Sequence, residues 1–178
     1  MKIQIIGGSG TGKSTLAKWI SEKENIQWID TDHYLWKDDS FTENNPIEKR
    51  KELYQKDMAL GVSYVASGSV FSWYPEGFSD RDLLVFLSLD EAVRMQRLRS
   101  RELERNTLSE MWLDEHGEYT NDFLEWCKTY LTEEDKSMAG TYAEQSYQME
   151  LSKSPVLKLD SARPVEELCA EILSRVSQ

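Results

Sequence analysis

One eight-residue segment near the start of the chain constrains the fold more strongly than any other feature. Residues 7–14 read GGSGTGKS, which fits the pattern G-x-x-x-x-G-K-[ST]. Glycine lets the backbone turn tightly and approach a ligand that a Cβ atom would exclude. Successive N–H groups then form a nest for an anion, and a helix that follows adds the positive end of its dipole. The segment therefore predicts a phosphate-binding loop.

The residues on either side of this loop support that prediction. A short apolar run at residues 3–6 indicates a strand, and apolar residues at helical spacing follow the loop. A strand, a glycine-rich loop and a helix in this order are the context in which such a pattern binds a nucleotide. We expect Lys13 to reach the β- and γ-phosphates and the Ser14 hydroxyl to bind Mg²⁺. The predicted nucleotide-binding residues are Gly7, Gly8, Ser9, Gly10, Thr11, Gly12, Lys13, Ser14 and Thr15.

Apolar patterning along the remaining chain predicts strands that alternate with helices. Strands are expected at residues 3–6, 26–29, 62–66, 83–89 and 155–159, and helices at 13–23, 47–58, from 90 onward, 123–131 and 165–176. A polar loop is expected at 37–46, and a charged region of poor periodicity, lid-like in its position, at about 100–120. The alternation predicts a single α/β domain over residues 1–178 with a parallel sheet.

Two carboxylates follow the second predicted strand. Asp30 and Asp32 are spaced i, i+2 at a strand end, where parallel α/β sheets bind their ligands. One of the two, which we take to be Asp32 together with Ser14, is expected to serve Mg²⁺, and the other to accept a proton from an attacking hydroxyl. The alternative is a solvated turn, in which Asp is common. His33 is then the next candidate base.

A series of arginines follows the fourth predicted strand, at positions 94, 97, 99, 101 and 105. Arg97 and Arg101 are four residues apart and share one face of a helix. Guanidinium groups above a phosphate neutralise charge during phosphoryl transfer. The alternative is a solvated face, since glutamates are interspersed. The predicted catalytic residues are Lys13, Asp30, Asp32, Arg97 and Arg101.

Aromatic residues cluster in the two segments that follow the second and third predicted strands. They are Trp28, Tyr34, Trp36, Phe71, Trp73, Tyr74 and Phe78. Their rings either fill a core or stack on an organic acceptor such as a base. Trp36 and Trp73 have polar neighbours and are the expected acceptor contacts.

Composition limits the classes of partner. A net charge of −11 repels a long polyanion, so general nucleic-acid binding is not expected. No apolar run approaches the ~20 residues of a membrane span, so no membrane partner is expected. Two cysteines and the lack of a signal-peptide core are consistent with a reducing cytoplasm. The sequence carries no signal of the oligomeric state.

Taken together, these residues resemble the adenylate-kinase-like branch of P-loop small-molecule kinases. The chain is more closely similar to the bacterial adenylate-kinase-like ATPases known as topology modulation proteins of the FlaR type. The motifs that carry the resemblance are KST at 13–15, the Asp30 segment, SGS at 67–69, RLRSR at 97–101, FLEW at 123–126 and PVLKLD at 155–160. The resemblance implies a three-layer P-loop NTPase fold with strand order 2-3-1-4-5, and ATP and Mg²⁺ as cofactors. It also implies that the R-L-x-x-R run corresponds to lid arginines that clamp ATP phosphates.

One departure from adenylate kinases changes the expected function. Those enzymes carry Asp-Gly-Phe-Pro-Arg after strand three, whereas residues 67–71 here read SGSVF. The usual carboxylate for the Mg²⁺ shell is therefore missing there, and the metal depends on Asp30 or Asp32. This difference does not favour adenylate kinase activity itself.

We therefore expect ATP- and Mg²⁺-dependent phosphoryl transfer to a small metabolite, with a nucleoside or nucleotide as the leading acceptor. The first alternative is a nucleotide-dependent ATPase or regulatory switch that acts on a protein partner. The second is a nucleotide-binding protein that has lost catalysis. The chain has no N-K-x-D run for guanine recognition, which counts against a GTPase.

Overall fold

The protein is described by a computed structural model, which covers residues 1–37, 43–105 and 108–176. Part of the predicted 37–46 loop lies outside these ranges. The elements in chain order are β1 (Lys2–Gly7), α1 (Lys13–Glu24), β2 (Gln27–Asp30), α2 (Asp32–Leu35), α3 (Ile47–Met58), β3 (Tyr64–Ser67), β4 (Leu83–Ser88), α4 (Glu91–Arg105), a 3₁₀ turn (Leu108–Glu110), β5 (Trp112–Leu113), β6 (Tyr119–Thr120), α5 (Asp122–Lys128), α6 (Tyr142–Glu150), β7 (Val156–Asp160) and α7 (Val165–Val176).

Five parallel strands form the central sheet in the order β2-β3-β1-β4-β7. This confirms the predicted order, because β7 is the fifth strand of that sheet. Strand β1 lies between β3 and β4, so the loop that leaves its carboxyl end at Gly7 is central. Asp30 at the end of β2 pairs with Ser67 at the end of β3. The phosphate-binding loop, β3 and the Asp30 segment therefore open at one edge of the sheet.

Alternation along the central strands explains the three layers. Ile3, Ile5 and Val85 face one side and join a core with residues of α1 and α7. Ile6 and Phe86 face the other side, against Met149 of α6. Strands that are buried on both faces are nearly all apolar, as strands of parallel sheets usually are.

The structure corrects the prediction in the region after β4. Helix α4 continues to Arg105, so its carboxyl-terminal turns fall inside the region that was expected to be irregular. A small antiparallel hairpin of β5 and β6 follows, with Trp112 opposite Thr120. Two-residue strands carry too little alternation to be detected in the sequence. The helix expected at 123–131 is also shorter, because α5 ends at Lys128.

Helix α6 was missed altogether, and its composition gives the reason. Its buried face carries the polar residues Glu144, Gln145 and Gln148. A helix whose buried face is polar shows no apolar stripe, which is the pattern that identifies a helix in a sequence.

Two further findings concern the predicted surface and interior. Cys127 and Cys169 are both free and buried, as expected of small apolar residues. Within the described ranges, none of the helices combines the length and the apolar character that a membrane crossing requires.

Candidate active site

The phosphate-binding loop joins β1 to α1, and its glycines hold backbone conformations that other residues rarely adopt. Gly7, Gly10 and Gly12 have φ angles of 147°, 86° and 86°. A Cβ on Gly7 would lie 2.4 Å from the carbonyl oxygen of Leu87, so this position excludes any side chain. A Cβ on Gly12 would meet no atom within 4 Å. The loop therefore packs tightly against β4 on one side and is open at Gly12 on the other.

Lys13 curls back over the loop. Its Nζ donates to the carbonyl oxygen of Gly8 at 3.0 Å, and the Thr11 hydroxyl donates to the same oxygen at 2.9 Å. Burial lowers the pKa of Lys13 to about 8, the charge of Asp32 opposes this shift, and the charge of Arg101 adds to it. A buried ammonium group whose acceptor is a neutral carbonyl gains strongly from an anion. The loop and Lys13 together can hold the phosphates of a nucleotide.

The two predicted carboxylates lie at the same edge of the sheet. The Asp30 carboxylate accepts from the backbone amide of Asp32 at 3.2 Å. Burial and the neighbouring charge of Asp32 raise the pKa of Asp30, and Lys13 acts against the shift. Asp32 is exposed, and its charge acts on Lys13 more strongly than that of Asp30. The structure thus brings Lys13, Asp30 and Asp32 within electrostatic range of one another.

Thr31 fixes this pair against β3. Its amide and its hydroxyl both donate to the carbonyl oxygen of Ser67, each at 3.1 Å. A Cβ on Gly68 would lie 2.0 Å from Thr31 Oγ1, and Gly68 has a φ of 108°. Only glycine fits there, which accounts for the glycine of the SGS sequence at the end of β3.

The arginines of α4 occupy different environments. Arg99 pairs with Glu118 of β5–β6 at 2.6 Å. Arg101 is 38% exposed, yet its Nε is buried and makes no hydrogen bond within the described part of the chain, with Glu102 Oε1 3.8 Å away. Because the charge of Arg101 acts on both Lys13 and Asp32, Arg101 borders the site. Arg97 is exposed, and its predicted catalytic role at a phosphate stays a prediction.

Arg94 has a role that the sequence analysis did not identify. It is 1% exposed, and its Nη1 donates to the carbonyl oxygen of Ser9 at 2.9 Å. Nη2 donates to the carbonyl oxygen of Cys127 at 2.7 Å, and the guanidinium lies 4.7 Å from the centre of the Tyr130 ring. Arg94 therefore fastens the phosphate-binding loop to α4 and α5. In the sequence it looks like one more member of a surface arginine series.

We expect Arg94→Met to lower the free energy of unfolding by about 3 kcal/mol, because the Ser9 and Cys127 carbonyls would stay buried without their donor. Affinity for Mg·ATP should fall as well, since the loop loses its anchor. Urea unfolding and calorimetry measure the two effects. Arg97→Met is the matched control and should change stability by less than about 0.5 kcal/mol. Equal stability of the two variants would contradict the anchoring role.

The rings of the predicted aromatic cluster occupy different environments. Tyr34 and Phe78 are 0% exposed and pack with Tyr54, which confirms the core interpretation for them. Trp73 packs edge-to-face on Tyr34 at 6.3 Å between ring centres and is partly buried. Trp28 donates from Nε1 to Ser67 Oγ at 3.0 Å. Acceptor contacts by Trp36 and Trp73 stay predictions.

A metal ion at this site would be held mainly by the phosphates of a bound nucleotide. In residues 1–37, 43–105 and 108–176, no three His, Cys, Asp or Glu side chains form a group that could hold an ion. The predicted ligands Ser14, at the start of α1, and Asp32 fit an ion that is held mainly by phosphate oxygens. They would complete the shell of Mg²⁺ rather than form a site of their own.

Comparison with known structures agrees with this architecture. The gluconokinase from Sinorhizobium meliloti 1021 superposes with a TM-score of 0.58 at 19% identity, covering 99% of this chain and 91% of that chain. The shikimate kinase from Aquifex aeolicus vf5 superposes with a TM-score of 0.56 at 16% identity, covering 99% and 96%. These similarities establish the three-layer P-loop fold.

Sequence comparison identifies the family. A Bacillus subtilis (strain 168) protein named "Uncharacterized protein YqaC" is 32% identical over 175 residues, covering 98% of this chain and 97% of that protein. Residues 3–118, which include the phosphate-binding loop and all of α4, match the AAA domain family AAA_18. The chain therefore belongs to the AAA_18 family of AAA domains.

Proposed function

We propose that this protein transfers a phosphoryl group from ATP, in the presence of Mg²⁺, to a hydroxyl of a small metabolite. The observation that carries the proposal is the set of charged side chains around Lys13. A buried ammonium with a lowered pKa lies in a glycine cradle, and two carboxylates and Arg101 act on it electrostatically. A loop that only bound a nucleotide would not need these further charges at the same edge of the sheet.

Each residue would have a separate task. The loop amides and Lys13 hold the phosphates, and Arg101 neutralises the charge that develops on the transferring group. Asp30 takes the proton of the acceptor hydroxyl as the new oxygen–phosphorus bond forms, while the bond between the γ-phosphorus and the β,γ-bridging oxygen breaks and ADP leaves. The pKa of Asp30, which burial raises, suits it to accept a proton. Ser14 and Asp32 would hold Mg²⁺, which supplies charge neutralisation when it is bound.

The acceptor is the open part of the proposal. Partly buried aromatic rings beside β2 and β3 favour a nucleoside or nucleotide, whose base would stack on them. The two kinases with the same fold are named for hydroxylated acids, so such acids belong in the same screen. The finer resemblance to FlaR-type topology modulation proteins is part of this proposal.

The experiment that tests the proposal measures ADP formation from Mg·ATP with nucleosides, nucleotides and small hydroxy acids as separate acceptors. We expect one acceptor to increase turnover well above the rate without acceptor. Turnover that no acceptor increases would favour the alternative of an ATPase or switch with a protein partner. Binding of Mg·ATP without turnover would point to loss of catalysis.

Asparagine substitutions should separate the two carboxylates. Asp32→Asn should raise the Mg²⁺ concentration needed for half-maximal activity, because the metal loses a charged ligand. Asp30→Asn should lower kcat at saturating Mg²⁺ by about 100-fold or more, because asparagine cannot take up a proton. The measurement is kcat against Mg²⁺ concentration for both variants. If Asp30→Asn raises the Mg²⁺ requirement and Asp32→Asn lowers kcat, the two roles are reversed. If both variants keep wild-type kinetics, the pair is only a turn, and His33 becomes the candidate base.

A further inference from the structure

Helix α6 buries a row of polar side chains that the proposed chemistry does not use. Glu144, Gln145 and Gln148 are 1%, 3% and 3% exposed. Buried polar groups are costly unless they are hydrogen-bonded, so each of them has to find a partner. Their partners lie on two different sides of the site.

The first side is the segment that follows β3, residues 68–74, which we call the acceptor segment because it adjoins the Asp30 pair. Ser69 Oγ lies 3.0 Å from Glu144 Oε1 and 2.9 Å from Gln148 Oε1. It also accepts from the amide of Phe71 at 3.1 Å. Gln148 in turn donates to Gln4 Oε1 at 3.3 Å, and Gln4 donates to the carbonyl oxygen of Gly68 at 3.0 Å. The acceptor segment is thus held at both Gly68 and Ser69.

The number of hydrogen-bond donors in this series of contacts indicates that Glu144 is protonated. A hydroxyl has one proton, so Ser69 can donate to Glu144 or to Gln148 but not to both. If Glu144 donates to Ser69, then Ser69 donates to Gln148, and each acceptor oxygen in this series of hydrogen bonds has a donor. Burial raises the pKa of Glu144 and so favours its protonated form, although its hydrogen bonds with Ser69 and with the backbone amides of Gly140 and Ser72 oppose the shift.

The second side is the phosphate-binding loop. Tyr130 donates from its hydroxyl to Gln145 Oε1 at 2.8 Å. A Cβ on Gly8 would lie 3.0 Å from the Tyr130 ring, so the ring packs directly on the loop backbone. The guanidinium of Arg94, which also holds Ser9, lies over the same ring. One helix therefore contacts both halves of the site through different side chains.

We propose that α6 positions the two halves of the site separately, with Glu144 and Gln148 fixing the acceptor segment through Ser69 and Gln145 fixing the phosphate-binding loop through Tyr130. Glu144 and Gln145 are positioning residues, because neither reaches the reacting atoms. The inference rests on the proposed function for the name of the acceptor segment, but its contacts do not depend on turnover.

The experiment compares Glu144→Ala with Gln145→Ala by amide hydrogen exchange and by calorimetry with Mg·AMP-PNP. Glu144→Ala should speed exchange in residues 69–74 roughly tenfold and leave affinity for Mg·AMP-PNP within about twofold of wild type. Gln145→Ala should do the reverse, with weaker Mg·AMP-PNP binding and an unchanged acceptor segment. Glu150→Ala, an exposed position on the same helix, is the control and should change neither.

Two further variants keep the test decisive if Glu144→Ala does not fold. Glu144→Gln should behave as wild type, because its amide can donate to Ser69 as a protonated carboxyl does and its oxygen can accept from Gly140. Ser69→Ala should speed exchange in residues 69–74 as Glu144→Ala does. Unchanged exchange in Ser69→Ala, or identical effects of the Glu144 and Gln145 variants on both readouts, would overturn the inference.

Kinetics distinguish this inference from the proposed function. If an acceptor is found, Glu144→Ala should lower kcat/KM for that acceptor about tenfold while KM for Mg·ATP stays constant. If the wild-type protein uses no acceptor, the proposed function fails, and the exchange and binding results still decide whether α6 positions the two sides. An equal rise of both KM values in Glu144→Ala would contradict separate positioning.

Discussion

Replacing Lys13 by methionine should abolish the stabilisation that Mg·ATP gives the protein and, at the same time, raise the melting temperature of the ligand-free chain. Burial lowers the pKa of Lys13 from its usual 10.5 to about 8. The folded protein therefore disfavours the charged form, because the charges of Asp32 and Asp30 offset only part of the cost of burying the ammonium group. Methionine fills a similar volume without the charge.

The sign and size of the effect follow from linkage. A lysine whose pKa is lowered by folding destabilises the folded state below the folded pKa, and this penalty disappears as the pH rises from about 8 towards 10.5. A shift of this size corresponds to a penalty of about 3 kcal/mol at pH 7. Wild-type stability should therefore rise relative to Lys13→Met between pH 8 and 10, and the two should converge.

Thermal unfolding at pH 7 and pH 10, with and without Mg·ATP, measures both parts of this prediction. A ligand at 100 times its Kd stabilises the wild type by about 2.7 kcal/mol, and none of this should remain in Lys13→Met. Lys23→Met, on the exposed side of α1, is the control. If Lys13→Met is less stable than wild type at pH 7 without ligand, the account of Lys13 as a charge whose burial is only partly compensated is wrong.

The second large effect is expected at Arg101. Arg101→Ala should lower kcat by about 100-fold and change KM for Mg·ATP much less, because the guanidinium is needed most where charge develops in the transition state. Its charge interacts with both Lys13 and Asp32, which places it beside the site, whereas its buried Nε without a hydrogen bond in the described chain is a feature that it shares with Arg99.

Arg97→Ala is the matched comparison on the same helix. Sequence spacing places Arg97 and Arg101 on one face, but Arg97 is exposed, so we expect a smaller loss of kcat there. Steady-state kinetics with the same acceptor compare the two. A silent Arg101→Ala would return both arginines to the solvated-face interpretation, and equal losses would show that Arg97 acts on the same charge.

The features that the sequence predicted best are local ones. The phosphate-binding loop depends on glycines with positive φ angles, and residues 7–14 carry its whole signal in one short stretch of sequence. The sheet order was implied by the resemblance to P-loop kinases, and the apolar run of β4 predicted a parallel sheet that is covered on both faces. The Asp30 pair lies at the carboxyl edge of the sheet because Asp30 ends β2, which is one of its parallel strands.

The features that the sequence did not predict depend on contacts distant in the chain. Arg94 differs from Arg97 in its burial and in its distant partners, the carbonyl oxygens of Ser9 and Cys127. Helix α6 is invisible to hydrophobic periodicity because its buried face is paired with Gln4, Ser69 and Tyr130 by hydrogen bonds. Polar side chains of this kind look solvent-exposed until the tertiary structure supplies their partners.

The central claim is phosphoryl transfer to a small acceptor at the loop that holds Lys13. The most direct measurement is ADP formation from Mg·ATP across the acceptor screen, with Lys13→Met run in parallel and the phosphorylated product identified by mass spectrometry. The account predicts at least one acceptor that raises wild-type turnover about 100-fold or more above the acceptor-free rate, with no turnover in the variant. Wild-type turnover that no acceptor changes and that yields only ADP and free phosphate would contradict it.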